Sequence, residues 1–208
     1  MNVTKIEQVT RTKFKVYLDG AFAFVLYKGE LSRFGVCEGR ELPDDVAEKI
    51  RREVILKRAK LRAMHLLEDM DRTEAGLREK LRHSLYPEEA VNAAVEYVRS
   101  FGYLDDARYA ENFIRSRQKK KSSREIRAAL LQKGLTCEQI DRAFEACREG
   151  EDEHAAERSA IRAVLEKKRF DPAGTDEAEM RKIYGYLARK GFSYDTVRQV
   201  IQNYDENA

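Results

Sequence analysis

Apolar and polar positions change rhythm once along this chain. Up to Tyr27 they alternate with a period of two. Val3 to Val9 alternate loosely, and Phe14, Val16 and Leu18 are interleaved with Lys15 and Tyr17. Asp19-Gly20 follows, then a second apolar run from Ala21 to Tyr27. An Asp-Gly pair between alternating runs predicts a type I′ hairpin. The expected product is a small three-stranded antiparallel unit. It is too small to stand alone and must pack on the first helices.

After Gly39 and Pro43 the period becomes helical and stays so to the end. Pro43 suits a first helical position, with Asp44 and Asp45 in the first turn. Val46, Ile50, Val54, Leu61, Met64 and Leu67 predict one long helix reaching about Glu68. Beyond it the pattern repeats. Leu77, Leu81, Val91 and Val95 recur 49 positions later as Ile126, Leu130, Ile140 and Phe144. They recur after a further 57 as Ile183, Leu187, Val197 and Ile201. The turns correspond as well. Lys133-Gly134-Leu135-Thr136 matches Lys190-Gly191-Phe192-Ser193, with glycine at a helix C′ position and Thr or Ser as the next N-cap. The first copy reads Ser84-Leu85-Tyr86-Pro87, without the glycine and with proline opening the next helix. Ser122 with Glu125 and Thr136 with Gln139 read as capping boxes. The longer third unit places its extra residues in a loop near Phe170 to Asp176, where Pro172 and Gly174 stand.

Each copy amounts to about three short helices with one half-buried face. Such a unit buries too little alone, so copies must stack. The expected fold is mainly α: tandem three-helix repeats in an elongated, curved array behind the small β unit. The expected divisions are 1–42 for the β unit, 43–103 for the long helix and first repeat, 104–150 for the second repeat and 151–208 for the third.

Composition supports helices. Of 208 residues, 37% are charged, against only 11 glycines and 3 prolines. The net charge is +3, so distribution matters more than sum. Arg51, Arg52, Lys57, Arg58, Lys60 and Arg62 form one basic stripe. Arg115, Arg117, Lys119, Lys120, Lys121, Arg124 and Arg127 form another. Glu145, Glu149, Glu151, Asp152, Glu153 and Glu157 make an acidic joint. Such stripes suit a polyanionic partner, and equally suit solvated helix faces. No apolar stretch reads as a membrane span or a leader, which predicts a cytoplasmic protein. Cys37, Cys137 and Cys147 are odd in number and scattered, as reduced thiols are.

No reaction centre is legible. His65, His83 and His154 lie far apart, without Cys or carboxylate at metal-ligand spacing, so no metal is expected. There is no C-x-x-C, P-loop, G-x-S-x-G or G-x-G-x-x-G motif, and neither cofactor nor enzymatic activity is expected. Glu88-Glu89 after Pro87 complement a helix dipole.

The most distinctive word is Gly102-Tyr103-Leu104-Asp105-Asp106-Ala107-Arg108-Tyr109-Ala110. Gly102-Tyr103 closes one helix, and Asp105 is placed to cap the next. Asp105-Asp106 could be taken for a catalytic pair, but capping explains them. Tyr109, Phe113 and Arg117 follow at i, i+4 and i+8, a spacing that makes the aromatics core residues rather than base-stacking platforms. With Lys133-Gly134-Leu135 and Lys190-Gly191-Phe192, this word resembles the RecX family of bacterial recombination regulators. Val16-Tyr17-Leu18-Asp19-Gly20 with Phe22 and Phe24 is similar to the extended amino-terminal part of some members. The likeness covers nearly the whole chain.

The resemblance implies tandem three-helix repeats and binding within the groove of the RecA–DNA filament. It implies opposition to filament growth, strand exchange, ATP hydrolysis and LexA-type repressor cleavage in the SOS response, without catalysis. The residues expected at a partner or nucleic-acid surface are Arg108, Arg115, Arg117, Lys119, Lys120, Lys121, Arg124 and Arg127, then Arg51, Arg52, Arg58 and Arg62. The protein is expected to be a monomer whose partner is the RecA filament, with single- or double-stranded DNA as a further partner. Two other readings stay open on the residues: a helical-repeat protein binding DNA or RNA directly without RecA, and a passive adaptor with solvated charge.

Overall fold

A computed structural model describes residues 1–148, 153–172 and 174–204, without the side chain of Glu153. The chain divides into two compact units, Met1–Asp105 and Asp106–Ala208, and each is taken by itself.

Unit 1 opens with three strands, β1 (Val3–Gln8), β2 (Lys13–Leu18) and β3 (Ala21–Tyr27), paired antiparallel in the order β1-β2-β3. Asp19 and Gly20 both take positive φ, 49° and 85°, as a type I′ turn requires. Alternation works as expected: Val16, Leu18, Phe24 and Leu26 are buried while Lys13 and Phe22 face solvent. A short helix α1 (Lys28–Arg33), not foreseen from the sequence, follows β3 directly.

The long helix is present and is not uniform. α2 (Asp44–Ile50) runs into a π-helical turn (Arg51–Leu56) and then α3 (Lys57–Asp69). Pro43 is its N-cap, not its first helical residue, with extended backbone at ψ 143°. The π turn corrects the expected apolar stripe. A π turn holds one residue more than an α turn, and each residue rotates the face by about 100°. The buried line therefore runs Ala47, Ile50, Ile55, Ala59, Ala63, Leu66, stepping by five from Ile50 to Ile55. Val46, Val54, Met64 and Leu67 pack only at its edge, and Leu61 is left 59% exposed. α4 (Glu74–His83) and α5 (Glu88–Ser100) complete the unit. Strands and helices share one core, from Val3 and Phe24 to Val98 and Leu104.

Unit 2 comprises α6 (Asp106–Arg117), α7 (Ser123–Gln132), α8 (Cys137–Arg148), α9 (Glu153–Lys167), α10 (Glu177–Lys190) and α11 (Tyr194–Gln202). The three expected repeats are thus α3–α5, α6–α8 and α9–α11. Their recurrent apolar residues are the cores. Leu77, Leu81, Val91 and Val95 are fully buried; Ile126, Leu130, Ile140 and Phe144 are buried; Leu187 and Val197 are buried with Ile183 and Ile201 partly so.

The turns between helices close alike. Gly102, Gly134 and Gly191 have φ of 71°, 84° and 92°. The amide after each donates to a buried residue's carbonyl: Tyr103 to Val98 at 3.2 Å, Leu135 to Leu130 at 3.3 Å, Phe192 to Leu187 at 3.2 Å. This is the Schellman closure of a helix C-terminus. The first repeat, lacking glycine, makes the same turn with Leu85 at φ 63°, Tyr86 N–H donating to Leu81 O at 3.3 Å. Arg169 does likewise at φ 55° in the third repeat. The described part of the loop around Pro172 and Gly174 is non-helical, as expected.

Candidate protein and nucleic-acid interface

The second repeat carries the principal basic set. α6 begins straight after Asp105, which stands at the position expected of its cap. Its inner face holds Ala110, Phe113 and Ile114 in the core. Tyr109 lies partly buried with its ring 6.1 Å from that of Phe113, at an interplanar angle of 26°. Both rings carry cations: the Arg117 guanidinium sits 3.8 Å from the Phe113 centroid, and Lys133 Nζ lies 5.7 and 5.9 Å from Phe113 and Tyr109. These aromatics support the basic surface from beneath and are not free for bases. Tyr103, by contrast, is 54% exposed and stacks on exposed Phe101.

Along this surface the cations differ in how far they are committed. Arg115 pairs with Glu111 at 3.1 Å, one helical turn away. Arg127 pairs with Asp141 and lies 4.6 Å over the Phe144 ring. Arg108 is exposed on the first turn of α6. Lys119, Lys120 and Lys121 form the turn between α6 and α7, all exposed, and Arg124 is exposed in the first turn of α7. Among the described residues, no ion pair engages Lys119, Lys120, Lys121 or Arg124.

The turn is held from both sides. Ser122 and Glu125 form the expected capping box: Glu125 N–H donates to Ser122 Oγ at 3.2 Å, and Ser122 N–H to Glu125 Oε2 at 3.3 Å. Ser122 Oγ donates in turn to the carbonyl of Lys190 at the end of α10, and Lys190 Nζ donates to Glu125 Oε1 at 2.7 Å. Burial alone would raise the Glu125 carboxyl, but the Lys190 and Ser122 hydrogen bonds outweigh it and hold it below the ordinary carboxylate range. The same hydrogen bond pushes Lys190 above its ordinary value. Beside this clasp, Gly191 lies against Arg124 so closely that a Cβ there would stand 2.6 Å from Arg124 Cβ.

In the second basic stripe, in unit 1, only Arg58 is built into the fold. Arg51 and Arg52 lie 3.9 and 4.0 Å from Glu48. Arg58 is a strut between helix and sheet: Nη1 donates to Val25 O at 3.3 Å, Nη2 pairs with Glu30, and the guanidinium covers the Tyr27 ring at 4.5 Å. Arg62 is exposed. The sequence separates none of these roles, because the partners of Arg58 lie on β3 and α1. Of the acidic joint, residues 149–152 and the side chain of Glu153 lie outside the described residues. Glu157 accepts from Ser193 N–H and Thr196 Oγ1, both at 3.0 Å, tying α9 to the start of α11.

Among the described residues no His, Cys, Asp or Glu group could hold a metal ion, and no helix is long and apolar enough to cross a membrane.

Comparison with known proteins agrees with the repeat structure. Family models for the first, second and third three-helix domains of RecX match residues 59–97, 105–143 and 156–201 in that order. Regulatory protein RecX of Levilactobacillus brevis is 30% identical over 207 residues, covering 98% of this chain and 76% of its own. Regulatory protein RecX of Clostridium botulinum (strain Alaska E43 / Type E3) is 29% identical over 212 residues, covering 96% and 94%. A crystal structure of regulatory protein RecX superposes with a TM-score of 0.63 at 26% identity, covering 97% of this chain and 98% of its own.

Proposed function

The chain belongs to the RecX family of regulatory proteins, and we propose that it regulates homologous recombination by binding the RecA–DNA filament and inhibiting its extension and activities. The relatives are named regulatory proteins; RecA as the partner and contact with its filament are our reading. The observation that carries it is the α6–α7 turn. Lys119, Lys120 and Lys121 are all exposed and make no ion pair among the described residues, beside the Ser122–Glu125–Lys190 clasp and with Arg124 in the next turn. A filament of protein on DNA offers phosphates and carboxylates in quantity, and many spread ionic contacts give affinity without a deep pocket. The protein is read as a non-enzymatic, monomeric regulator of the cytoplasm.

The contact residues are narrowed accordingly. Lys119, Lys120, Lys121 and Arg124 lead, and Arg108 follows on the first turn of α6. Arg115, Arg117 and Arg127 belong to the same surface, partly neutralised or stacked. Of the second set, Arg58 is assigned to the fold, while Arg51, Arg52 and Arg62 remain secondary contact residues.

The test is the single-stranded-DNA-dependent ATPase of RecA with the protein at substoichiometric ratio. Inhibition is expected. Lys119→Glu, Lys120→Glu and Lys121→Glu together should weaken it at least about tenfold, a loss of about 1.4 kcal/mol, with helical circular dichroism unchanged. Inhibition that survives the triple reversal refutes the site. Salt-steep binding to bare strands with no effect on RecA would favour direct nucleic-acid binding instead.

A further inference from the structure

We propose that an open groove in unit 1 is a separate docking site that takes an acidic peptide segment of a partner protein, one carrying a large apolar side chain. The groove has a volume of about 360 Å³, within the roughly 300–1,000 Å³ of ordinary ligand sites. Lys13 and Tyr27 line it from the sheet, Arg58, Leu61, Arg62 and His65 from α3, and Leu85 and Tyr86 from the α4–α5 turn.

Two irregularities of the fold meet here. The π turn rotates the apolar face of the long helix by one residue and leaves Leu61 59% exposed at the groove. The α4–α5 turn holds Leu85 at φ 63°, where the second and third repeats place glycine. A left-handed non-glycine residue costs about 1–2 kcal/mol, and at Leu85 the side chain so held lines the groove. Each departure puts a leucine on the same wall.

The charge around that wall has one sign. No aspartate or glutamate lines the groove. Of the carboxylates bonded to lining residues, Glu30 pairs with Arg58, and Glu68 contacts His65 Nδ1 at 3.1 Å outside the lining. Among the described residues no ion pair engages Lys13 or Arg62. An anion entering the groove therefore meets two uncompensated cations.

The apolar surface on offer decides between anions. Stacking a nucleobase requires an open aromatic face. The Tyr27 ring is already covered by the Arg58 guanidinium at 4.5 Å. Tyr86 is half-buried, and its hydroxyl donates to Arg58 O at 3.4 Å. What remains is aliphatic, Leu61 and Leu85, which suits an inserted leucine or phenylalanine flanked by carboxylates. The groove goes beyond the function proposed above and does not depend on the α6–α7 turn.

The probe is a short fluorescein-labelled peptide of Asp and Glu around a central Leu-Phe pair, titrated against the full chain by fluorescence anisotropy. The same peptide with Ser-Ser at its centre, and oligo(dT), are the comparators. The Leu-Phe peptide should bind. Leu61→Ser and Arg62→Glu should each weaken it about tenfold, while the Lys119-Lys120-Lys121 reversal leaves it unchanged. Both altered residues are exposed, and circular dichroism checks that the variants fold. Three outcomes overturn the proposal: equal binding of the Ser-Ser peptide, oligo(dT) as the only probe lost in Arg62→Glu, or no binding of any probe.

Discussion

Gly191→Ala should destabilise unit 2 well beyond what its backbone conformation alone would cost. Two costs coincide there. The first is conformational: Gly191 sits at φ 92°, and a left-handed alanine costs about 1–2 kcal/mol. The second is steric: the new Cβ would stand 2.6 Å from both Cβ and Cδ of Arg124. Cδ can swing away, but Cβ is fixed to the backbone of α7, so either α7 or the α10–α11 turn must shift. Overpacking of this kind costs about 1–3 kcal/mol. The lower backbone entropy of unfolded alanine offsets about 0.4–1 kcal/mol. The net is a loss of about 2–4 kcal/mol, or roughly 5–15 °C in melting temperature at about 2–4 °C per kcal/mol for a chain of this size. Gly102→Ala is the control. It carries the same conformational cost at φ 71°, yet a Cβ there meets nothing within 4 Å, so it should lose only about 1 kcal/mol. Calorimetric melting of both variants, and of Gly191→Ala with Arg124→Gly set against Arg124→Gly alone, separates the two costs. The double variant should recover the steric part. If Gly191→Ala melts no lower than Gly102→Ala, the close approach of Arg124 is wrong.

Two further expectations concern charged groups that the fold uses. The Glu125 carboxyl lies below its ordinary 4.5 when folded, so its contribution is present above pH 4.5 and is lost as pH falls through the folded value. Lys190 lies above its ordinary 10.5, so its contribution is present below pH 10.5 and lost as pH rises through the folded value. The destabilisation caused by Lys190→Met, measured by urea unfolding, should therefore be flat from pH 6 to 9 and shrink below pH 4.5; a penalty that grows on acidification would contradict the pairing. Arg58→Met should cost about 1–3 kcal/mol, because it leaves Glu30 without its cation and the Val25 carbonyl without a donor. Arg62→Met on the exposed face should stay within about 0.5 kcal/mol, so equal melting of the two variants would remove Arg58 from the role of strut.

Much of this protein was determined by sequence alone, wherever the cause is local. The period-two strands and Asp19-Gly20 predict β1–β3, because alternation and a two-residue turn with positive φ leave few other arrangements. The recurrences at Leu77, Ile126 and Ile183 predict three helical units. Gly134 and Gly191 predict helix ends, and the Ser122–Glu125 box predicts a start. The basic turn at Lys119 to Lys121 was legible as charge.

What only the tertiary structure decided depends on residues distant in the chain. Arg58 and Arg62 look alike in sequence; Glu30 and Val25 make one a strut, while the other lies open. A π turn leaves no local mark, since its extra residue is stabilised by packing Ile50 and Ile55 into a shared core. It moved the expected face by one position and exposed Leu61. Leu85 breaks the glycine rule, yet its turn closes like the others, because the bond from Tyr86 to Leu81 is made by backbone and tolerates strain supported elsewhere. The clasp of Ser122, Glu125 and Lys190 joins residues more than sixty positions apart. Local signals set backbone conformation residue by residue. The commitment of a side chain depends on which atoms packing brings within about 3 Å of it, and periodicity carries no information about that.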